Sequence, residues 1–147
     1  MNKKNIFIFS IALFIISVDQ LTKFFIKINF QLNQPVPIIS NILHLTYITN
    51  TGSAFGLFKG LSIFFILFSI VVIIIVFYYL KRIKNNEKTL QFSVGLLLGG
   101  TVGNLIDRLF YGAVVDFIDF RIWPVFNIAD SAVTISVVFL IILLWKK

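Results

Sequence analysis

Residues 60–80 read GLSIFFILFSIVVIIIVFYYL and contain no charged side chain. A helix that crosses the hydrocarbon part of a bilayer needs about 20 mostly apolar residues, so this stretch predicts a transmembrane helix. The composition agrees, because 59% of the 147 residues are hydrophobic and only 13% are charged. Soluble domains carry about 25% charged residues. The sequence is therefore typical of an integral membrane protein.

Three further apolar runs flank this stretch. Residues 89–106 carry no charge, and residues 5–28 are interrupted by Asp19 and Lys23, with Lys27 at the edge. The last run, 131–145, is too short for a hydrocarbon core of about 30 Å at a rise of ~1.5 Å per residue, so we expect the fourth helix to begin earlier. The sequence predicts a single membrane domain, residues 1–147, whose four helices lie at about 6–28, 60–80, 89–110 and 128–145.

The basic residues predict the topology. They cluster before the first helix, between the second and third helices and at the C-terminus, as Lys3, Lys4, Lys81, Arg82, Lys84, Lys88, Lys146 and Lys147. Cytoplasmic loops carry an excess of Lys and Arg, so we expect both termini in the cytoplasm. This placement assigns the net charge of +7 to topology rather than to nucleic acid binding. The N-terminal run lacks a signal-peptide cleavage site, and we interpret it as a retained helix.

The first outer segment predicts a small sheet. Pro35 and Pro37 favour extended backbone, and residues 43–48 alternate with the period of two that is typical of a strand. Asn50-Thr51-Gly52 predicts a turn. We expect an all-α membrane protein with a small extracytoplasmic β-sheet that lies on the outer membrane surface, a β-like segment at about 33–58 and an outer loop at about 111–127.

Five acidic residues fall at or near the outer side, namely Asp19, Asp107, Asp116, Asp119 and Asp130. Ionisable groups at membrane depth are costly and are usually paired or functional. Asp19 and Lys23 are four residues apart and share a helix face, which fits either a structural ion pair or a direct role at a site. Asn104, Asp107 and Arg108 also share a face, which fits a buried hydrogen-bond cluster.

Two of these aspartates suggest chemistry. Asp116 interrupts an apolar run, which tends to raise a carboxyl pKa, although a turn residue exposed to water is the alternative. Asp130 precedes Ser131 at the start of the last helix, and its alternative role is an N-cap. The sequence has no cysteine and one histidine, His44, which excludes thiol chemistry and a His-rich metal site. Two carboxylates that share a proton can activate water against a carbonyl, as in aspartic proteases, without metal or cofactor.

Five motifs resemble those of the bacterial lipoprotein signal peptidases, also called signal peptidase II. In chain order they are Asp19-Gln20-Leu21-Thr22-Lys23, Asn50-Thr51-Gly52-Ser53-Ala54-Phe55, Gly99-Gly100-Thr101-Val102-Gly103-Asn104-Leu105-Ile106-Asp107-Arg108, Val114-Val115-Asp116-Phe117-Ile118 and Phe126-Asn127-Ile128-Ala129-Asp130-Ser131. The resemblance extends over nearly the whole chain. Thr49 and Ser53 depart from the common pattern, and Asp119 and His44 match no motif role.

The resemblance implies an endopeptidase that removes the signal peptide from diacylglyceryl-modified prolipoproteins, cutting just before the lipidated cysteine. It implies that Asp116 and Asp130 are the catalytic dyad. The residues implied to line or brace the site are Asp19, Lys23, Asn50, Gly52, Asn104, Arg108, Asn127 and Ala129. The implied partners are these substrates and membrane lipids, with no nucleic acid, metal or cofactor and no oligomer required. The implied location is the bacterial cytoplasmic membrane, with the site on its extracytoplasmic face.

Two other functions remain open at this point. A small transporter or channel would use Asp19, Lys23, Asn104 and Asp107 to line a polar path through the membrane. The second span carries no ionisable group and the acids crowd one face, which favours an interfacial site. A non-catalytic assembly factor, held together by small-residue helix faces, would tolerate the loss of Asp116.

Overall fold

The computed structural model describes residues 2–52 and 60–145. Within these residues it contains, in chain order, α1 Lys3–Asn29, β1 Pro35–Ile39, β2 Leu43–Asn50, α2 Ser62–Leu80, α3 Lys88–Tyr111, β3 Val114–Asp119 and α4 Ile128–Trp145. All four helices are long and apolar enough to cross a membrane. The predicted fold class, four transmembrane helices with a small β-sheet, is confirmed. The single-domain organisation stays a prediction, and the predicted β-like residues 53–58 lie outside the described residues.

Helix α3 is the centre of the helix bundle and packs against each of the other three helices. Its glycines allow two of them to approach closely. A Cβ added to Gly99 would lie 2.8 Å from the backbone oxygen of Ala12 in α1, and one added to Gly100 would lie 2.5 Å from the backbone oxygen of Ala129 in α4. Larger side chains would therefore force the helices apart. Helices α2 and α4 both pack on α3, and a cavity remains between them.

The three strands form one antiparallel sheet in the order β1-β2-β3. The β2–β3 register pairs Ile48 with Asp116 and Asn50 with Val114. A small apolar core that includes Ile26 of α1 and Val115 of β3 seats the sheet on one end of the helices. Strand β3 is therefore fixed both to β2 and to the end of α1.

Strand β3 lies within the segment 111–127, for which the sequence predicts a loop. Val114, Val115 and Phe117 are all buried, so the strand is covered on both faces. A strand that is covered on both faces does not alternate between apolar and polar residues. The period-two pattern that reveals β2 is therefore missing from β3.

Candidate active site

Asp116 is buried in the middle of β3. Both of its carboxylate oxygens accept hydrogen bonds from side-chain amides. Asn127 Nδ2 donates to Oδ1 at 2.7 Å, and Asn50 Nδ2 donates to Oδ2 at 2.9 Å. Asn50 is the last residue of β2 and pairs with Val114, so the sheet register brings its amide to Asp116. The two amides orient the carboxylate without neutralising its charge.

Asp130 lies in the first turn of α4. Its backbone N donates to Oδ1 of Asn127 at 2.8 Å, and the backbone N of Asn127 donates to Oδ2 of Asp130 at 3.3 Å. This reciprocal arrangement is a capping box in which Asn127 acts as the N-cap. Asn104 Nδ2 of α3 donates to the other oxygen, Oδ1 of Asp130, at 2.7 Å. The capping role that was the alternative for Asp130 therefore belongs to Asn127, and the Asp130 carboxylate is also held by α3.

Asp116 and Asp130 line the same cavity, which has a volume of about 600 Å³. Helices α2, α3 and α4 supply most of its walls, and residues 123–126 and the ends of the strands supply the rest. The other predicted site residues that line it are Asn50, Gly52, Asn104 and Arg108. The structure therefore brings together six residues that are scattered over 81 positions of the sequence.

The electrostatics of Asp116 suit a carboxyl that holds a proton near neutrality. Burial raises the pKa of Asp116, and the nearby Asp130 carboxylate raises it further, to about 7. The hydrogen bonds from Asn50 and Asn127, and the charge of Lys23, act in the opposite direction but are outweighed. A pair of close carboxyl groups of this kind takes up and releases its protons as a unit.

A buried ion cluster lies behind the cavity. Lys23 Nζ lies 2.8 Å from Oδ2 of Asp19 and 3.1 Å from Oδ2 of Asp107, and all three side chains are almost completely buried. The same ammonium donates a hydrogen bond to Oδ1 of Asn104 at 3.0 Å. A buried charge is tolerated in a membrane protein only when it is paired in this way. The ion pair that was one alternative for Asp19 and Lys23 is therefore present.

The cluster also holds both elements that carry the paired carboxylates. Asp19 Oδ1 accepts a hydrogen bond from the backbone N of Ala129 at 2.9 Å, next to Asp130 in the chain. Asp107 Oδ2 accepts one from the backbone N of Val115 at 3.0 Å, next to Asp116. The predicted set of site residues lacks Asp107. The signal that pointed to it was its position three residues after Asn104, on the same face of α3.

Arg108 connects the cavity wall to the turn that follows β2. Its Nη2 donates to the backbone oxygen of Gly52 at 3.3 Å, and its guanidinium lies 5.0 Å from the centre of the Phe65 ring in α2. The backbone N of Gly52 in turn donates to Oδ1 of Asn50 at 2.9 Å. Asn50 therefore contacts both the turn and Asp116. The motif residues Ser53, Ala54 and Phe55 lie outside the described residues.

Asp119 and His44 are not among the residues that line the cavity. They are paired across β2 and β3, and His44 is a half-buried strand residue. Asp119 accepts hydrogen bonds from Thr46 Oγ1 at 2.7 Å and from the backbone N of Arg121 at 2.8 Å. In the part of the chain that the structure describes, no three His, Cys, Asp or Glu side chains are grouped closely enough to hold a metal ion.

The sequence of this chain matches a known family along most of its length. Residues 11–146 match the family model described as Signal peptidase (SPase) II. The chain belongs to the signal peptidase II family. The family membership predicted from the five motifs is therefore confirmed.

Individual members of the signal peptidase II family are similar to this chain. The lipoprotein signal peptidase of Halothermothrix orenii is 43% identical over 140 residues, which cover 95% of this chain and 96% of that protein. The lipoprotein signal peptidase of Moorella thermoacetica is 45% identical over 136 residues, covering 92% and 89% of the two chains. A bacterial membrane enzyme solved by the in meso method at 2.3 Å resolution superimposes with a TM-score of 0.85 and 38% identity, covering 92% of this chain and 85% of that one.

Proposed function

We propose that this protein is an endopeptidase that removes the signal peptide from diacylglyceryl-modified prolipoproteins, and that Asp116 and Asp130 activate the water that cuts before the lipidated cysteine. One observation carries the assignment of the dyad. The Asn127 amide donates to Asp116, and the Asn127 backbone donates to Asp130, so one residue holds both carboxyl groups at one cavity. The family membership supports the peptidase activity and the class of substrate.

The mechanism follows from a pair of carboxyl groups that hold one proton between them. The ionised member accepts a proton from water as the oxygen of that water attacks the carbonyl carbon of the scissile bond. The protonated member donates a hydrogen bond to the carbonyl oxygen, on which negative charge develops, and a proton then passes to the leaving nitrogen. The raised pKa of Asp116, about 7, supports the presence of such a proton at neutral pH.

The asparagine amides give the pair its orientation. Each carboxylate oxygen has two lone pairs, so an oxygen that accepts one amide hydrogen bond can still accept one from water. Asn50 and Asn127 occupy one position on each oxygen of Asp116, and Asn104 occupies one on Asp130. Because these amides are held by β2, α3 and the start of α4, the carboxyl groups are oriented before substrate binds.

We further propose that the sheet end of the molecule faces the outside of a bacterial cytoplasmic membrane, with both termini in the cytoplasm. The distribution of Lys and Arg supports this orientation, since the loop between α2 and α3 contains Lys81, Arg82 and Lys84. The diacylglyceryl group would then keep the substrate in the outer leaflet, at the level of the cavity, which favours reaction through positioning.

Within residues 2–52 and 60–145, the positions of the ionisable groups argue against a transport path. The paired ionisable groups Asp19, Lys23 and Asp107 lie at the sheet end of the helices and are tied to backbone groups there. Helix α2 has no ionisable residue except tyrosine near its other end. A polar path would need such groups at successive depths of the bilayer.

The test is a cleavage assay with purified protein in lipid, a diacylglyceryl-modified prolipoprotein and a chelator of divalent metal ions. We expect wild type to cleave just before the modified cysteine, and Asp116→Asn and Asp130→Asn each to lose activity by about 10³-fold or more, since each removes one member of the acid–base pair. Asp119→Asn, a change of the same kind three residues along the same strand, is the matched control and should retain activity. Cleavage that survives either of the first two substitutions would falsify the assignment of that aspartate.

A further inference from the structure

Among the described residues, four hydroxyl side chains line the cavity in addition to the two aspartates. They are Ser69 of α2, Thr101 of α3, and Ser131 and Thr134 of α4. Their neighbours in the wall include apolar residues such as Phe68, Val133 and Ile135. Hydroxyl groups inside the apolar part of a membrane protein need hydrogen-bond partners, so their partners are informative.

Two of these hydroxyls lie deeper in the bundle than the aspartates. Thr101 precedes Asn104 by three residues on α3, and Thr134 follows Asp130 by four residues on α4, so each lies on the cavity face of its helix. Helix α3 ends at the sheet and α4 begins there. At ~1.5 Å per residue, both hydroxyls therefore lie about 5 Å further from the sheet than the residues that hold or form the dyad.

The four hydroxyls differ in their hydrogen bonds. Ser69 Oγ donates to the backbone oxygen of Phe65 at 2.8 Å, and Ser131 Oγ donates to that of Asn127 at 2.9 Å. Serine and threonine hydroxyls within a helix commonly donate to a backbone oxygen of the preceding turn in this way. Thr101 and Thr134 make no such bond to any residue in the ranges 2–52 and 60–145. The two threonines differ in exposure, since only 8% of Thr101 is exposed whereas Thr134 is an exposed residue of the cavity wall.

The Thr101 hydroxyl opens onto the cavity, and an acyl chain that filled the cavity would leave this donor without an acceptor, which is unfavourable. A carbonyl oxygen would satisfy it. We propose that Thr101 and Thr134 donate hydrogen bonds to a carbonyl oxygen of the substrate on the membrane side of the scissile bond. This inference rests on the proposed function. The inference adds to the proposed function the residues that recognise the part of the substrate that lies within the bilayer.

Two parts of the substrate carry such an oxygen. Peptide carbonyls of the signal peptide lack partners where the chain is extended for cleavage, because an extended segment has lost the internal hydrogen bonds of a helix. The ester groups of the diacylglyceryl lipid also carry carbonyl oxygens. The shared chemistry is a carbonyl acceptor, and the two sources are separable by substrate design.

The experiment compares two substrates with the same peptide, one carrying the diester lipid and one a dialkyl ether lipid without ester carbonyls. The variants are Thr101→Val, Thr134→Val and the double variant, with Thr101→Ser to restore the hydroxyl. Thr89→Val is the matched control, because Thr89 is exposed at the other end of the same helix. Thermal unfolding and size-exclusion profiles confirm that each variant folds.

We expect Thr101→Val to lower kcat/KM by ~3- to 10-fold, mainly through KM, and Thr101→Ser to recover most of the loss. A loss with both substrates identifies the peptide carbonyl, and a loss with the diester alone identifies the ester carbonyl. Wild-type kinetics in the double variant, with both substrates, would overturn the inference while leaving the proposed function intact. If wild type cleaves neither substrate, the proposed function itself is wrong.

Discussion

Asp116 and Asp119 are both buried carboxylates, three residues apart on strand β3, yet their environments act in opposite directions. Burial and the charge of Asp130 raise the pKa of Asp116 to about 7. Burial also acts to raise the pKa of Asp119, but hydrogen bonds from Thr46 and Arg121 and the Arg121 charge outweigh it and hold that pKa below its usual value. The same strand therefore carries one carboxyl suited to holding a proton and one that stays ionised.

The two residues share the backbone of the strand and a low exposure to solvent, but Asp116 lies deeper, and burial is the largest cause of its raised pKa. The partners come from other elements. Asp119 has a guanidinium 3.3 Å away and a hydroxyl at 2.7 Å, whereas Asp116 has two neutral amides and faces a second carboxylate. A direct cationic partner favours the charged form, and neighbouring negative charge disfavours it. The chemistry of each carboxyl group on β3 is thus decided by its depth and by what β2, α4 and the neighbouring turns place beside it.

The largest effect we expect from a residue outside the cavity is that of Asp107→Asn. The variant keeps an oxygen that can accept from Val115 but leaves Lys23 with one carboxylate, so β3 and Asn104 lose part of their fixation. Displacement of a catalytic group by about 1 Å costs on the order of 100-fold in rate. We expect kcat to fall by ~100-fold with KM nearly unchanged, measured by steady-state cleavage.

Asp119→Asn is again the control for Asp107→Asn, since it removes a buried, paired carboxylate whose hydrogen-bond partners are Thr46 and Arg121 rather than the residues that hold the dyad. Asn104→Asp tests the positioning of the other catalytic carboxyl group, because it removes the amide that donates to Asp130. If Asp107→Asn folds normally and keeps wild-type kcat, the positioning role of Asp107 is wrong.

The next effect concerns pH. Above a pKa of about 7, Asp116 loses the proton that the pair needs, so activity should fall as pH rises. Two charges set the pH at which this fall begins: Asp130 raises the pKa of Asp116, and Lys23 lowers it. We expect kcat to decline by about tenfold per pH unit on the alkaline side, measured between pH 5 and 9. The Asp119→Asn variant should give the same profile, and activity that stays constant up to pH 9 would contradict the assigned proton.

The sequence predicted the helices because uncharged apolar runs of sufficient length leave few alternatives, and it identified Asp116 and Asp130 through their motif blocks. It did not predict β3, whose burial on both faces removes the alternating pattern. It also left Asp107 out of the site, because its partner is the backbone N of Val115, and a backbone partner leaves no signature in residue type. The contrast between Asp116 and Asp119 likewise depends on contacts between elements that are distant in the chain.

A smaller effect links the proposed chemistry to stability. The Asp116 carboxyl stays protonated in the folded protein up to about pH 7, whereas in the unfolded chain it ionises above about pH 3.8. Between these values the folded state binds more protons, so its free energy of unfolding falls as pH rises. Asp116→Asn lacks this penalty. We therefore expect the Tm of the variant minus the Tm of wild type to be ~5 °C more positive at pH 8 than at pH 5.

Thermal unfolding in detergent at the two pH values measures this difference. The Asp119→Asn variant is expected to change the stability in the opposite direction. The lowered pKa of Asp119 stabilises the folded protein above the unfolded pKa, and that stabilisation is lost only as pH falls through the folded pKa. Asp119→Asn should therefore be less stable than wild type at both pH 5 and pH 8. A Tm difference for Asp116→Asn that does not depend on pH would show that Asp116 is ionised throughout this range.

The smallest effect we expect is that of Thr46→Val, which removes one hydrogen bond to Asp119 without changing any charge. The Asp119 carboxylate keeps its contacts with the backbone N and the guanidinium of Arg121, so the free energy of unfolding at pH 7 should fall by only ~1 kcal/mol. Cleavage should stay within about twofold of wild type, because β2 holds Asp116 through Asn50 and not through Thr46. A loss of activity comparable to that of Asp107→Asn would mean that Asp119 and its hydrogen-bond partners also position Asp116, and the two carboxyl groups of β3 would then depend on one set of contacts.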